Sequence, residues 1–526
     1  MVDHLVLHCG KFKQDTFAGA IGRITPPLVT CDDFVETSRK AKPEEENPMA
    51  DDKKSEMEAI LKRQRDAFTA ARPEPMSARR DRIKRAIALL VDHGDDLARA
   101  MSADFGNRSH EASMITDITG TIGFGKYCFK HMDKWARPEK RGTRFPLGLL
   151  GAKAELRYEP KGVVGILSPW NFPVNLSIGP LMQILAAGNR AMIKPSEFTE
   201  KTSELTAELV AKYFAEEEVA VITGSPEVAA AFSSLPFDHL LFTGSTATGR
   251  KVMEAAARNL VPVTLELGGK SPVFLGRSAN FEQAGERIAM GKMLNAGQIC
   301  LAPDYMYVPE DKEQTAVDSV RQAAHNMYPT LLDNDDYTSV VTDRHFDRLQ
   351  SMVADARDKG ADVIEVNPAN EDFSSTNARK MPLTILRNVS DDMMAMQEEI
   401  FGPVLPVKTY KNVDEAIDYV NRNDRPLGLY YFGSDAGERE HVLQRTISGG
   451  VTVNDVIMHV SMDDLPFGGV GPSGIGSYHG PEGFKEFSHA RSVYTQPKAD
   501  IAKLAGLKPP FGDTTRKTIA REMKKA

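Results

Sequence analysis

The stretch NAGQIC, residues 295–300, ends in one of the four cysteines of this 526-residue chain. A cysteine inside a protein is usually a small buried apolar residue, and its reactivity decides when it matters for function. Cys300 follows Asn, Gly and Gln, which are residue types that end helices and form loops. Its sulfur could therefore be exposed, and Cys300 is a candidate nucleophile, with a core position as the alternative.

Two further residues could assist such a nucleophile. Glu266 lies in the apolar run LEL, directly before two glycines, where a carboxylate needs a partner or a catalytic purpose because an unpaired buried charge is costly. Asn171 lies in SPWNFP, where two prolines stiffen the backbone and hold the amide in one direction. The alternatives are a structural ion pair for Glu266 and a proline-rich turn for Asn171.

A second group of residues could bind phosphate. In FTGSTATG, residues 242–249, a strand-like run reaches Gly244 and a predicted helix containing Gly249 follows, with Ser245 or Thr246 as its cap. Backbone N–H groups at such a helix start attract phosphate. The stretch is neither the GxGxxG fingerprint nor a P-loop, so a plain strand-turn-helix connection is the alternative. Lys194 ends another strand-like run, where a lysine commonly only reaches solvent.

Short apolar runs alternate with helical segments in the middle of the chain. The runs are 161–167, 191–194, 218–224, 239–244 and 261–267. This alternation predicts a parallel sheet with helices on both faces, and such sheets bind ligands at the carboxyl ends of their strands. A second α/β region is predicted from residue 266 to about 460, with a helix over 282–294 just before Cys300. Residues 79–101 have the apolar spacing of amphipathic helices.

Composition excludes several classes of protein. The formal net charge of -8 disfavours nucleic acid as a partner, and no run of about 18 apolar residues predicts a membrane span. The cysteines are scattered without a CxxC pair, so we expect neither a metal site nor disulfides, and a cytoplasmic location. Residues 1–48 end in a polar, charged run and are predicted to be a flexible, dispensable extension.

Together, the candidate residues predict a carbonyl chemistry. A thiol nucleophile, a carboxylate that can activate water, an amide for an oxyanion and a phosphate-attracting helix start are what oxidation of an aldehyde through a thioester requires. A free aldehyde releases hydride poorly, whereas the alkoxide that a thiolate forms with it expels hydride readily.

The same residues carry a family resemblance. The chain resembles the aldehyde dehydrogenase superfamily over nearly all of residues 50–500, through SPWNFP, KPSE, FTGSTATG, LELGGKSP, NAGQIC, EEIFGPVLP and PFGGVGPSG, in the order of the family. PWNFPVNLSIGPLMQILAAGN, CLAPDYMYVP and PFGGVGPSGIGSYHG are similar to the class-three branch, and most of all to bacterial coniferyl-aldehyde dehydrogenases.

The resemblance implies a role for each candidate residue. Asn171 would be the oxyanion amide, Glu266 the base and Cys300 the nucleophile. The residues implied to bind NAD, with NADP possible, are Trp170, Lys194, Glu197, Gly244, Ser245, Gly249, Glu399 and Phe401. Lys194 and Glu197 would hold the adenosine ribose, Glu399 and Phe401 the nicotinamide ribose, and Gly269 and Asn295 would shape the pocket. From the residues alone, EEIFGP is only a loop with two acids and a Gly-Pro turn.

The resemblance also implies a fold and an assembly. The fold would have two parallel-sheet α/β domains plus a small β-hairpin element that joins subunits into a homodimer or a dimer of dimers. The implied limits are 49–136 and 161–265 for the NAD(P)-binding domain, 266–464 for the catalytic domain, 137–160 and 465–500 for the oligomerisation element, and 501–526 for a tail.

Several alternatives remain for the activity. Medium- or long-chain aliphatic aldehydes are the alternative to an aromatic substrate such as coniferyl aldehyde. A dehydrogenase that passes the acyl group to coenzyme A typically lacks the carboxylate, so Glu266 argues against it. A non-catalytic structural homologue is disfavoured by the presence of Asn171, Glu266 and Cys300.

Overall fold

The computed structural model describes residues 48–145 and 147–523. The chain divides into two units, Met1–Pro48 and Met49–Ala526, and the description below concerns the second. The predicted flexible extension lies, except for Pro48, outside the described residues. No helix in the described ranges is long and apolar enough to cross a membrane.

The described part begins with helices and a hairpin. These elements are α1 (Pro48–Ala70), α2 (Met76–Phe105), α3 (His110–Ser113), a π-helical turn (Met114–Thr119), α4 (Gly120–Trp135), β1 (Glu139–Arg141) and β2 (Lys153–Pro160). The predicted apolar face within residues 79–101 is confirmed, because Ile83, Leu89, Leu90 and Leu97 of α2 are buried in one core with strand residues of the first large sheet.

The first large sheet contains the five predicted parallel strands. They are β3 (Val163–Leu167), β4 (Arg190–Lys194), β5 (Val219–Val221), β6 (His239–Gly244) and β7 (Val263–Leu267), in the spatial order β7-β6-β3-β4-β5. The connecting helices are α5 (Asn175–Ala187), α6 (Glu200–Tyr213), α7 (Pro226–Ser233) and α8 (Thr246–Ala257). Every residue of β3 and β4 is buried, as expected for strands covered on both faces.

The second large sheet has seven strands. They are β8 (Pro272–Leu275), β9 (Tyr305–Pro309), β10 (Asp362–Val366), β11 (Leu383–Arg387), β12 (Val404–Tyr410), β13 (Gly428–Phe432) and β14 (Gly450–Val453), in the order β10-β11-β12-β9-β8-β13-β14. All neighbours pair in parallel except β10 and β11. The helices are α9 (Phe281–Met293), α10 (Glu313–Met327), α11 (Asp343–Asp358), α12 (Met394–Gln397), α13 (Val413–Arg422) and α14 (Ala436–Arg445).

The end of the chain returns to the earlier elements. It forms β15 (Gly474–Ile475), α15 (Gly480–Glu486), β16 (Ser488–Thr495), α16 (Ile501–Leu504) and α17 (Asp513–Glu522). β15 pairs antiparallel with β7, and β16 pairs antiparallel with β2, which also pairs with β1. The resulting three-stranded sheet is the β-hairpin element that the resemblance implies.

The change from one large sheet to the other occurs between Leu267 and Pro272. The implied domain limit at residues 265 and 266 therefore falls inside β7, because Glu266 pairs with Thr243 of β6. Glu266 accordingly belongs to the first sheet, at the carboxyl end of its strand, and faces the loops of the second.

Candidate active site

Cys300 follows a sharp turn at the end of α9. In the 3-10 turn Leu294–Gly297, Asn295 and Ala296 both have a φ of 51°, in the left-handed region that non-glycine residues rarely adopt. Cys300 is partly exposed after this turn, whereas Cys128 is buried. Of the cysteines in the described ranges, Cys300 thus has the accessibility that a nucleophile needs.

Gln298 holds this turn in place. Its Nε2 donates to the carbonyl oxygens of Asn295 at 2.9 Å and Ser339 at 3.1 Å, and its Oε1 accepts the N–H of Val341 at 3.0 Å. The side chain is fully buried. The sequence analysis considered Gln298 only as a loop-forming residue, because nothing in the hexapeptide indicates that its amide is buried.

The amide of Asn171 is fixed on the same turn. The Asn171 Nδ2 donates to the backbone carbonyl oxygen of Gln298 at 3.1 Å. The backbone carbonyl oxygen of Asn171 in turn accepts from Asn295 Nδ2 at 3.2 Å. An amide nitrogen has two hydrogens, and the described residues provide a partner for one of them. The other can donate to an oxyanion beside Cys300.

A buried ion pair that the sequence analysis missed supports Asn171. Arg108 Nη1 donates to the Asn171 carbonyl at 2.7 Å, and Nη2 donates to Asp117 Oδ2 at 2.7 Å. Asp117 Oδ1 accepts the backbone N–H groups of Val174 at 3.2 Å and Asn175 at 3.1 Å. The pair thus holds both sides of the SPWNFP loop.

Glu266 is buried without a hydrogen-bond partner. Its side chain is 3% exposed, and within the described residues neither carboxylate oxygen has a partner. Burial, together with the charge of Glu486, raises the pKa of Glu266 well above its usual range. A carboxylate with two free oxygens and a raised pKa is, once ionised, a stronger base toward water than an ordinary glutamate.

The thiol of Cys300 is protonated in this environment. Burial first, and then the charges of Glu399 and Glu266, raise the pKa of Cys300 to about 12. The same interactions show that these three groups lie close enough to influence each other. A positive charge bound beside the sulfur would favour the thiolate.

The carboxyl ends of β6 and β7 form a compact phosphate-attracting corner. Ser245 caps α8, since its Oγ accepts the N–H of Thr248 at 3.2 Å. Gly249 lets α8 approach β7, because a Cβ there would lie 2.5 Å from Leu267 Cδ2. Gly244 ends β6 directly before this helix start. The N-terminus of α8 therefore opens at the edge where parallel sheets bind ligands.

Lys194 and Glu197 lie at the end of the neighbouring strand. Lys194 Nζ donates to the Pro195 carbonyl at 2.7 Å and is 4.0 Å from Glu197 Oε2. Burial lowers the pKa of Lys194, which the carboxylate of Glu197 partly offsets. Glu197 itself is one-third exposed, so its oxygens can bind hydroxyl groups of a ligand.

Glu399 and Phe401 approach from the second sheet. Burial and the charge of Asp304 raise the pKa of Glu399 to about 8, although the Gly269 N–H and the charges of Lys270 and Arg348 act in the opposite direction. Its Oε1 has no partner among the described residues. A Cβ on Gly268 would lie 1.9 Å from Glu399 Oε2, so the glycine makes room for this carboxylate. Phe401 has a φ of 51°, and its ring meets that of Trp170 edge-on at 5.3 Å.

Lys270, whose role the sequence analysis missed, links the segment after β7 to the loop that carries Glu399. Its Nζ donates to the carbonyl oxygens of Ala395 at 2.7 Å and Glu398 at 2.8 Å and pairs with Asp304. A dinucleotide would fit across the carboxyl edge of the first sheet. The features that suit it are the Glu399 oxygen without a partner, the start of α8 capped by Ser245, and the space left by Gly249 and Gly268. In the described ranges, no cluster of three or more His, Cys, Asp or Glu could hold a metal ion.

Comparison with known proteins decides the family. The model of the aldehyde dehydrogenase family matches residues 32–493. The chain belongs to the aldehyde dehydrogenase family. A protein of Caulobacter vibrioides named probable coniferyl aldehyde dehydrogenase is 55% identical over 480 residues, which cover 91% of this chain and 99% of that protein.

Other relatives and solved structures agree. Coniferyl aldehyde dehydrogenase of Pseudomonas sp. is 51% identical, covering 86% of this chain and 94% of that protein, and aldehyde dehydrogenase family 3 member A2 of Mus musculus is 38% identical, covering 83% and 87%. A substrate-bound AldH of Staphylococcus aureus matches with a TM-score of 0.82 and 33% identity over 89% of this chain and 99% of that chain. The NAD+ complex of a Bacillus cereus aldehyde dehydrogenase matches with a TM-score of 0.76 and 27% identity over 85% and 89%.

This aldehyde dehydrogenase is an NAD(P)-dependent enzyme, so the predicted enzyme class and cofactor are confirmed, as is the resemblance to coniferyl-aldehyde dehydrogenases. The structure brings the Asn171 side-chain amide to the Gln298 carbonyl, two residues before Cys300, and the charges of Glu399 and Glu266 act on the Cys300 thiol. The individual roles of these residues stay predictions, and so do the domain limits.

Proposed function

We propose that this aldehyde dehydrogenase oxidises an aromatic aldehyde, such as coniferyl aldehyde, to the carboxylic acid through a thioester on Cys300. The observation that carries the proposal is the meeting of a partly exposed Cys300, an Asn171 amide fixed on the same turn, and a buried Glu266 with both oxygens available. The names of the two most similar relatives described above support the substrate.

In the first step, the Cys300 thiolate attacks the aldehyde carbon. A sulfur-carbon bond forms, and the carbonyl oxygen takes the electron pair of its π bond and becomes an alkoxide. The second Asn171 N–H and the backbone N–H of Cys300 hold this oxygen. Gln298 and Arg108 contribute by keeping Asn171 and the turn in one arrangement.

The alkoxide then expels hydride and becomes a thioester. NAD(P), when bound, supplies the acceptor of this hydride. Glu399 and Phe401 orient the nicotinamide half, while Trp170 supports Phe401. Lys194 and Glu197 would hold the adenosine ribose, and Gly244, Ser245 and Gly249 would form the corner beside the pyrophosphate.

In the last step, Glu266 takes a proton from water as that water attacks the thioester carbon. The carbon-sulfur bond breaks, the acid leaves and Cys300 is released as the thiolate, while the proton taken from water stays on Glu266. Glu266 suits this role because burial raises its pKa and because its two oxygens have no partner among the described residues.

Aromatic rings around the nucleophile support an aromatic substrate. Tyr478 is buried, and burial together with the charges of Glu266 and Cys300 raises its pKa. The Tyr478 ring lies 4.7 Å from that of His479 and 5.7 Å from that of Phe467. Phe172 is partly exposed and packs against the same apolar core as Cys300. Ring contacts of this kind contribute about 0.5–1.5 kcal/mol each beyond area burial.

The test compares kcat/KM for coniferyl aldehyde and decanal. We expect at least about a fivefold preference for coniferyl aldehyde, since two ring contacts amount to about 1–3 kcal/mol. Phe172→Leu should reduce this preference, whereas Phe129→Leu should not. Phe172 and Phe129 are both partly buried. An arginine guanidinium lies over each ring, 5.2 Å from the ring centre of Phe172 and 4.7 Å from that of Phe129. Phe129→Leu therefore makes a similar packing change and is the matched control. Equal kcat/KM values would instead favour the aliphatic alternative.

The assembly and the location belong to the same proposal. The hairpin β1-β2 with β16 joins subunits into a homodimer or a dimer of dimers in the cytoplasm. Phe145 and Leu149, in the connection between β1 and β2, are 86% and 81% exposed, which supports burial against a second subunit. The domain limits follow the sequence analysis, with the limit at 265 and 266 moved past Leu267.

A further inference from the structure

A chain of hydrogen bonds runs beside the strand that carries Glu266. Lys161 Nζ is 2.8 Å from His239 Nδ1, and His239 Nε2 is 2.8 Å from Thr264 Oγ1. Thr264 Oγ1 then donates to Glu486 Oε1 at 2.6 Å. His239 and Thr264 are buried, whereas the Glu486 side chain is 28% exposed. The chain thus ends at a carboxylate with access to solvent.

The direction of these bonds follows from their donors. Burial, and the charge of Lys161, lower the pKa of His239 well below its usual range, so the ring is neutral. An ammonium group can only donate, so His239 Nδ1 accepts from Lys161 and Nε2 donates to Thr264. The threonine hydroxyl is then free to donate to Glu486. Each hydrogen bond of this series is thus donated in the direction of Glu486. The Thr264 hydroxyl holds Glu486 Oε1, and Oε2 remains available for another partner.

The strands bring Glu486 close to Glu266. Thr264 and Glu266 are two residues apart on β7, so their side chains share one face about 6.6 Å apart along the strand. Gly474 pairs with Glu266 in β15, and Gly476 follows two residues later on the same face. A Cβ on Gly476 would lie 2.5 Å from Glu486 Oε1, so the glycine leaves the space that the carboxylate fills.

The proposed reaction needs a group that removes the proton from Glu266. Burial raises the pKa of Glu266 and so favours its protonated form, which cannot take a proton from water. Each hydrolysis also adds a proton to Glu266. The proton must therefore leave a residue that is 3% exposed before the next thioester can be hydrolysed.

We propose that Glu486 accepts the proton of Glu266 through an intervening water molecule and releases it to solvent. The O–H bond of Glu266 breaks, an O–H bond forms at Glu486 Oε2, and bulk water then takes the proton, with no change in oxidation state. Thr264, His239 and Lys161 position Glu486. This inference rests on the proposed role of Glu266 as the base.

The test measures how fast the acyl group leaves Cys300 in Glu486→Gln, by rapid quenching and intact mass after one turnover. We expect decay at least tenfold slower than in wild type, with hydride transfer unchanged. Small buffer bases such as imidazole should restore the rate in proportion to their concentration, because they replace the lost acceptor. Glu482→Gln, on the same helix α15, is the matched control and should decay like wild type.

Two outcomes would overturn the inference. Decay of Glu486→Gln at the wild-type rate would show that the proton leaves elsewhere, and slow decay that ignores buffer would show a structural role. Thr264→Val keeps the side-chain shape, removes the hydrogen bond to Glu486 and should show a smaller, buffer-sensitive loss. It decides the question if melting curves show that Glu486→Gln is unfolded.

Failure of this inference is separable from failure of the proposed function. If Glu266→Gln turns over normally, Glu266 is not the base and the proposed function fails. If Glu266→Gln stalls as an acyl-enzyme while Glu486→Gln and Thr264→Val behave as wild type, only the proton transfer to Glu486 fails.

Discussion

Glu266→Gln should separate the two halves of the reaction. The thiol of Cys300 can still attack, and the alkoxide can still expel hydride, so one equivalent of NADH per active site should appear in a burst. Hydrolysis then lacks its base. The enzyme should stop with the acyl group on Cys300, because the glutamine amide cannot accept a proton from water.

The expected magnitude follows from the surroundings of Glu266. Neither of its oxygens has a partner among the described residues, so the substitution removes no hydrogen bond of the folded protein. Glutamine also has nearly the same shape, and the melting temperature should not change. Only the base is lost, which lowers the rate of hydrolysis by about 10²–10⁴, or about 3–5 kcal/mol in the barrier.

The assay combines stopped-flow detection of NADH with intact-mass measurement after the burst. The mass should increase by one acyl group, and steady-state turnover should fall by the factor above. Cys300→Ala provides the contrast, because without the thiol no alkoxide forms and the burst itself disappears. NAD should still bind to Cys300→Ala, since the groups proposed to hold it lie on other loops.

Three results would refute this reasoning. Loss of the burst in Glu266→Gln would mean that Glu266 is needed to deprotonate the thiol. Normal turnover of Glu266→Gln would mean that another group activates water. Turnover by Cys300→Ala would show that the cysteine is not the nucleophile and belongs to the apolar core.

Four further predictions concern the cofactor, the unit boundaries, the supporting ion pair and the thiol. Glu197→Ala should reduce the preference for NAD over NADP in kcat/KM, because its carboxylate binds a free ribose hydroxyl and repels a 2′-phosphate; an unchanged ratio would contradict this. A chain starting at Met49 should keep its activity and melting temperature, and a loss of several degrees would show that residues 1–48 stabilise the rest. Asp117→Asn should lower the free energy of unfolding in urea by about 3–5 kcal/mol, because Arg108 would stay buried without its partner; a change below about 1 kcal/mol would argue against that pair. Cys300 should react slowly with iodoacetamide at pH 7 and about tenfold faster per unit of pH, since its pKa is raised to about 12, and a plateau below pH 9 would contradict that value.

Much of the fold was predictable because it depends on local pattern. β3 and β4 are covered on both faces, so they appear in the sequence as short continuous apolar runs. The helix α5 ends at Gly188, whose φ of 93° favours glycine, the residue type that sequence patterns use to mark a helix end. Asn171, Glu266 and Cys300 could also be predicted, because each lies in a short motif that carries the family resemblance.

The supporting residues were not predictable, because they act over long sequence distances. Arg108 and Asp117 lie more than 50 residues before the Asn171 loop that they hold. Neither lies in a motif, and a charged residue alone gives no sign that it is buried. Glu486 lies 220 residues after Glu266, and only the pairing of β15 with β7 brings their regions together.

The raised pKa values of the site share one cause and have one consequence. Burial is the largest cause of the raised pKa of Cys300, Glu266 and Glu399, and the charges of Glu399 and Glu266 add to the shift of Cys300. The groups therefore hold their protons together when no ligand is bound, and the thiol is protected from unwanted reactions. A cationic group bound beside Cys300 favours loss of the thiol proton. Glu266, in contrast, loses its proton only through a route to solvent. Attack and hydrolysis thus depend on different charges, which lets the enzyme complete hydride transfer before water is activated.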